Sequence, residues 1–404
     1  TYVYCGNLID CISNTSKKEM TIVVEGKKIV AVENGYKVAS NGEKIIDLKN
    51  KTVLPGLMDM HVHLEMESRK GGSVDQFTMN PADYAFNSVV YSKITLMAGF
   101  TTVRDLGGSG VNISLRNAVN AGKIVGPRIY TAGKSISGTG GHMDPTNGYC
   151  DELMGDPSAK EGVANGVDDC RKAVRQQYKA GADLIKIAST GGVLSAAKDG
   201  SAPQFSEEEI RAIVQTATDL NLKVACHAHG AEGMKRAIRA GVTSIEHGTL
   251  LDDEVITLMK QHGTYYVPTI TAGKSVADSS KIPGFYSDIV VPKAQAIGPK
   301  IQGAFAKAYK AGVKIAFGTD AGVFKHGKNA MEFQYMVEAG MPAMEAICSA
   351  TVTSAALLGI SDILGTIEKG KIADIIAVDE NPLTNIKTLM DVKFVMKEGN
   401  IYKQ

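Results

Sequence analysis

Along the first fifty residues, short apolar runs alternate with polar positions at a period of two, the spacing of a half-buried strand. Thr21-Ile-Val-Val-Glu-Gly-Lys-Lys-Ile-Val-Ala-Val reads as a hairpin, and Lys44-Ile-Ile-Asp-Leu follows it. The far end repeats this texture in Ala373-Asp-Ile-Ile-Ala-Val and Val392-Lys-Phe-Val-Met-Lys-Glu-Gly-Asn. Neither end is long enough to form a stable sheet alone. The two are expected to combine as a small β-sandwich domain, residues 1–52 with 360–404, with the rest of the chain inserted between them. From 53 to 359 apolar strands alternate with helical stretches, the texture of parallel β/α units. Candidate strands end at His63, Asp105, Gly133, Ala188, His229, His247, Ile270 and Asp320. Eight such units predict an α/β fold of the (β/α)8 TIM-barrel kind, which gathers its functional groups at the C-terminal strand ends. A doubly wound open sheet is the competing arrangement.

Two helices announce themselves chemically. Ser206-Glu-Glu-Glu209 is a capping box opening a helix to about Leu220, and Pro342 falls in the first turn of a helix to about Leu358. Three polar, Gly-rich segments follow predicted strands: Glu65 to Pro81, Ala132 to Asp168, and Thr271 to Lys293. Loops of that length serve as lids or binding loops, or are plain surface insertions.

Bulk properties narrow the function classes. With 404 residues and a formal charge of +1, the chain offers no basic surface for nucleic acid or for an anionic membrane. No apolar run reaches the roughly 20 residues that span a bilayer. The six cysteines, Cys5, Cys11, Cys150, Cys170, Cys226 and Cys348, are scattered without a Cys-x-x-Cys pair. They read as reduced thiols of a cytoplasmic protein; the absent initiator Met leaves a removed leader open.

The chemistry sits at the strand ends. His61-Val62-His63 puts two imidazoles on one face of a strand, and neutral imidazole is a common ligand for zinc and similar ions. Lys186, in Asp183-Leu-Ile-Lys-Ile-Ala, places an ammonium in an otherwise apolar strand, where an isolated charge is costly. An ion pair with a carboxylate such as Asp320 is one solution, and carboxylation by carbon dioxide to a metal-bridging carbamate is another; residue type alone favours the pair. In Val224-Ala-Cys-His-Ala-His229 the two histidines share a face, either being a ligand, while Cys226 points into the strand–helix layer. His247 and Asp320 end their strands and, taken singly, could equally cap the next helix.

Together these residues resemble the amidohydrolase superfamily, in its zinc-dependent prolidase-like and arginine carboxypeptidase-like subgroup. The likeness rests on Leu54-Pro-Gly-Leu-Met-Asp-Met-His-Val-His, Gly99-Phe-Thr-Thr-Val-Arg-Asp, His227-Ala-His-Gly-Ala-Glu-Gly, Ser244-Ile-Glu-His-Gly and Phe317-Gly-Thr-Asp-Ala-Gly, with the tail Gly365-Thr-Ile-Glu-Lys-Gly-Lys-Ile-Ala-Asp-Ile. It implies two divalent ions, most simply zinc: His61, His63 and Asp320 on one, His227 and His247 on the other, and N6-carboxylated Lys186 between them. His227 is thereby preferred to His229.

The expected chemistry is attack of a metal-bridging hydroxide on a peptide carbonyl, with Asp320 moving the proton to the leaving amine. His142, in Gly138-Thr-Gly-Gly-His-Met-Asp-Pro, is a candidate for steadying the oxyanion or the substrate carboxylate, or is a solvent-facing loop histidine. His229 and Tyr265 or Tyr266 are further substrate-binding candidates, only one tyrosine pointing inward by alternation. The resemblance implies release of a C-terminal residue from a dipeptide or short peptide, with Arg or Lys favoured. Glu65, Glu67, Asp144 and Asp151 would be available to bind such a base. Xaa-Pro dipeptides, which would want an apolar slot, are the near alternative, followed by cyclic amides and, last, a non-catalytic scaffold. A homo-oligomer is expected.

Overall fold

The structure is a computed structural model that describes residues 1–39, 42–197 and 199–404. Seven strands from the two chain ends share one mixed sheet: β1 (Tyr2–Leu8), β2 (Lys17–Glu25), β3 (Lys28–Asn34), β4 (Ile45–Pro55), and, after the central region, β12 (Ile375–Val378), β13 (Phe394–Lys397) and β14 (Asn400–Lys403). The hinge of this arrangement is β4, which runs parallel to β1 on one side and antiparallel to β12 on the other. That pairing is how the C-terminal tail returns to the start of the chain. Val3, Cys5, Ile22, Ile46, Ile375 and Phe394 form a core of their own under this sheet, as the period-two pattern requires.

The central region holds two parallel sheets. One orders β5 (Leu57–Val62), β6 (Phe100–Asp105) and β7 (Arg128–Thr131); the other orders β8 (Ile185–Ala188), β9 (Val224–Ala228), β10 (Ser244–His247) and β11 (Tyr265–Val267). The sheets join on both sides. Ile136 bridges Ile187 beyond the end of β7. On the other side Tyr266 bridges Ile315 and Val62 bridges Ala321, supported by Met60 N to Phe317 O at 2.8 Å and Asp320 N to His61 O at 2.7 Å. Neighbour by neighbour, the pairing returns to β5. The expected eighth strand is therefore an extended segment, 314–321, held by these few bonds rather than a regular strand.

Alternation sorts the side chains. Ile185, Ile187, Val224 and Cys226 pack outward against helices with Ile210, Ile213 and Ile238, whereas Leu106, Ala132, Leu184 and Ala225 meet on the other face. The capping box forms as expected: Ser206 Oγ accepts from Glu209 N and opens the helix Glu207–Asp219.

Three expectations change. The seventh strand stops at Val267, because Thr269 turns at φ 51° and a helix begins at Ile270. The segment 271–293, read as a loop from its Gly and Ser content, is helical over Ile270–Ser279 and from Val290 onward. Pro342 precedes the helix Ala343–Cys348 rather than entering its first turn, and a π-helical stretch, Ser349–Thr353, interrupts the run to Leu358. There the Ser349 carbonyl accepts from Phe317 N at 3.1 Å, so the helix bonds to the segment that carries Asp320. Among the described residues no helix is long and apolar enough to cross a membrane.

Candidate metal centre

The strand ends bring His61, His63, His227, His247 and Asp320 to one cavity floor, with Lys186 of β8 fully buried within electrostatic reach of Asp320. Ring centroids of His61 and His63 lie 5.4 Å apart, those of His61 and His247 5.0 Å, and those of His227 and His247 4.7 Å. Ligating atoms of His61, His247 and Asp320 all fall within 4.8 Å of one another. His247 thus stands between the two groups of the expected ligand set.

Each imidazole is aimed by its second nitrogen. His63 Nδ1 donates to the Gly107 carbonyl at 2.7 Å, His227 Nε2 to the Gly191 carbonyl at 3.1 Å, and His61 Nδ1 to the Glu246 carboxylate at 3.0 Å. His247 Nδ1 meets Thr269 Oγ1 at 2.7 Å. A carbonyl or carboxylate can only accept, so the outer nitrogens of His63, His227 and His61 carry a proton, the arrangement found around metal-ligating histidines. The Thr269 hydroxyl, which can donate or accept, orients His247 without fixing its proton.

The charge states agree. Burial pushes the His61 imidazolium down to about 4, and holds His227 and His247 well below the ordinary range. Burial works against ionisation of Asp320, yet His61, His63 and Lys186 beside it outweigh that and keep it low. His63 moves up, because Asp320 at 3.2 Å overcomes its burial. Neutral His61, His227 and His247 around an ionised carboxylate are donors suited to a divalent transition metal, and His63 joins them on giving up its proton.

Lys186 is the anomaly. It is fully buried, and its Nζ has no hydrogen-bond partner; His227 Nδ1 is likewise unpaired, while Asp320 Oδ1 faces His63 Nε2 at 3.2 Å and His61 Nε2 at 3.6 Å. The Lys186–Asp320 ion pair favoured by residue type does not form. Burial lowers the ammonium to about 8, which leaves a useful fraction of free amine near neutral pH. Unpaired buried polar atoms beside an ionised carboxylate and a group of histidines have the chemistry of a site for a divalent metal ion, which His61, His247 and Asp320 are close enough to share.

Several supporting residues were not singled out from the sequence. Arg104 on β6 crosses to Glu246 on β10 at 2.7 Å, donates to the Met60 carbonyl at 2.7 Å, and reaches Ser244 Oγ at 3.1 Å. Glu246, held low against its burial by Arg104 and His61, in turn orients His61. Asp59 accepts from His61 N, Thr319 Oγ1 and Asn329 Nδ2. The usable signal was an Arg and a Glu within predicted core strands, where a charge needs a partner. Backbone strain marks the same place: His247, Thr269 and Asp320 have φ of 71°, 51° and 61°, conformations costing about 1–3 kcal/mol each and typical of functional sites.

Above the floor lies a cavity of about 220 Å³. Met66, Val193, Leu194, Val276 and Ile301 supply its apolar wall, and His142, His229 and Asp320 face it. The His142 ring stacks on His227 at 4.2 Å, and its Nδ1 is buried without a partner. That seat requires Gly192, where a Cβ would fall 2.1 Å from the imidazole. His229 is anchored through Nδ1 to Thr249 Oγ1 at 3.0 Å.

Tyr266 does not line the cavity and is not placed to bind substrate. It is fully buried and its hydroxyl donates to the His247 carbonyl at 2.8 Å, so it positions a ligand strand instead. The acidic groups considered for a basic side chain are also elsewhere. Glu65 accepts from Ser109 N and Asn112 N, Glu67 from His326 N, and Asp144 from Gly140 N and Thr146, while Asp151 is exposed in a short helix.

This geometry agrees with what the chain resembles. The model of the amidohydrolase family matches residues 52–402. Ochratoxinase of Aspergillus niger is 35% identical over 377 residues, covering 87% of this chain and 75% of that protein. A solved Xaa-Pro dipeptidase with bound methionine in its active site superposes with a TM-score of 0.98 at 52% identity, covering 100% of this chain and 99% of the other. A prolidase complexed with N-methylphosphonate-L-proline gives 0.91 at 33% identity, covering 100% and 99%. With its strand-end histidines, its buried aspartate and nearly its whole length accounted for, the chain belongs to the amidohydrolase family.

Proposed function

We propose that this hydrolase is a metal-dependent dipeptidase that releases a C-terminal proline or similarly apolar amino acid. It would work from a (β/α)8 barrel, residues 53–359, carried beside the end-built β domain of 1–52 and 360–404. The observation that carries the reading is the pair of unpaired buried atoms, Lys186 Nζ and His227 Nδ1, near the ionised Asp320 of an apolar-walled cavity. The bound methionine and the proline analogue of the two structural neighbours support the same side-chain class. Release of arginine or lysine would need a carboxylate in the wall, and the four considered are engaged or exposed elsewhere.

His61, His63 and Asp320 would hold one ion, His227 and His247 the other, and the Lys186 amine would add to carbon dioxide, losing one proton, to give a carbamate spanning both. When bound, such ions polarise a scissile carbonyl and allow water to ionise near neutral pH. The chain's own groups do the rest. Asp320, ionised at the cavity floor, takes the proton of the attacking water and delivers it to the departing amine. His142, neutral because burial pushes it down to about 3, and His229, pushed to about 4, offer ring N–H donors to the substrate carboxylate without an opposing charge of their own. Leu194, Val276 and Ile301 exclude water and receive the side chain.

The zinc-loaded protein, assayed against Ala-Pro, Ala-Met, Ala-Arg, Ala-Lys and a hydantoin, should cleave the first two with kcat/KM at least about tenfold above the basic pair, since an unpaired ammonium or guanidinium is costly in an apolar slot. Equal or faster release of Arg or Lys would overturn the side-chain assignment. Turnover of the hydantoin alone would overturn the dipeptidase reading.

A further inference from the structure

After β8 the chain makes an excursion that returns before the helix Glu207–Asp219. Its neck is closed by backbone: Thr190 bridges Pro203, and Gly191 N donates to Ala202 O at 3.0 Å. Its tip leans across to the helix Val290–Ile297, which follows β11 in the chain. Lys293 of that helix, a buried side chain, donates through Nζ to the carbonyls of Gly192 at 3.1 Å, Ser195 at 2.6 Å and Ala197 at 2.7 Å. An ammonium has three N–H groups, and here all three find acceptors on one loop. Such charge-assisted bonds are roughly twice as strong as neutral ones.

What the bonds join is the cavity itself. Val193 and Leu194, between the first two accepting carbonyls, form one wall, and Ile297 and Ile301, one and two turns beyond Lys293, form the facing wall. Gly192, whose carbonyl accepts from Lys293, is also the residue under the His142 ring. We propose that Lys293 is a specificity-determining strap: it holds residues 192–197 against the helix Val290–Ile297 and so sets the width of the slot that receives the released amino acid's side chain. This rests on the dipeptidase reading above. Lys293 touches neither the cavity floor nor the reacting atoms, so it acts by positioning, on which side chain fits rather than on bond cleavage.

The test compares the zinc-loaded parent with K293M, which keeps the stem and loses the ammonium, and K293Q, which keeps two donors. Methionine in place of the lysine should raise KM for Ala-Pro about tenfold, leave its kcat within about twofold, and reduce the preference for Ala-Pro over Ala-Phe about tenfold, with glutamine intermediate. An unchanged preference in both variants, or equal loss of kcat on both substrates at constant KM, overturns the strap. Limited proteolysis of the same full-length proteins reads the strap without turnover: cleavage within 192–197 should be about tenfold faster in K293M. If the parent cleaves neither dipeptide, the dipeptidase reading fails, and equal proteolysis rates in parent and variants would then overturn the strap as well.

Discussion

At the scale of single residues, Lys186 bears the largest unmet demand in the site. A buried amine without a partner is tolerable only if it is neutral or converted to something the site can bind. The imidazoles around it turn one nitrogen outward to Gly107, Gly191 or Glu246, and none lies within hydrogen-bond reach of its Nζ. Replacing Lys186 with alanine should therefore lower kcat/KM about a hundredfold or more and release metal, as loss of a bridging ligand does. Formate or acetate, which supplies the two carboxylate oxygens a carbamate would present, should restore part of the activity. Wild-type activity and metal content in K186A, measured without added acid, would remove the carbamate from the account. The candidate ligands were legible in the sequence because they stand in or at the ends of apolar strands, His247 directly before a glycine. Lys186 was legible as a problem but not as an answer. Its residue type argued for a pair with Asp320, and only the likeness to the amidohydrolase superfamily implied the carbamate.

At the scale of elements, the site depends on contacts between strands that are not neighbours. Arg104 on β6 and Glu246 on β10 meet across the interior, and Glu246 passes that order to His61. Removing one partner of a buried pair leaves the other charge uncompensated, at a cost of about 3–5 kcal/mol. R104M should lose about that much stability in urea unfolding of the metal-free protein, far more than loss of one exposed ion pair such as Arg211–Glu207. A loss below about 1 kcal/mol would show that Ser244 and His61 alone satisfy Glu246. Neither residue drew notice beforehand, since alternation gives a face but not which of seven other strands supplies the partner. Tyr266 illustrates the same limit. Alternation allowed only one of Tyr265 and Tyr266 to point inward, and the buried Tyr266 hydroxyl meets the His247 carbonyl rather than lining the cavity. The stretch 270–279 was read as loop because Thr, Gly and Ser are weak helix formers, yet it is a helix. Glu332 accepts from Ile270 N, Thr271 N and Thr271 Oγ1 and so caps its first turn from a distant segment.

At the scale of the whole molecule, the order of parallel units and the return of the C-terminal tail were readable from periodicity. Their closure was not. The eighth segment pairs through few bonds, Met60 to Phe317, His63 to Ala321 and Asp320 to His61 among them. Those same bonds place Asp320, in its left-handed backbone, beside His61 of β5 and His63 just after it, so the pairing of this segment with β5 also brings three candidate ligands together. The lid elements were the least legible part: the acidic residues that invited a basic substrate cap turns and helices instead, and the apolar side chains that replace them come from the excursion after β8 and the helices after β11. The central claim is that two divalent ions, held by six side chains at these strand ends, are required for peptide-bond hydrolysis. Its most direct test is to strip the protein with a chelator and titrate zinc back, in the presence of bicarbonate, while following cleavage of Ala-Pro. The account predicts negligible turnover in the stripped protein and activity that saturates at two equivalents of zinc per chain. Full activity in the stripped protein, or saturation at one equivalent, would contradict it.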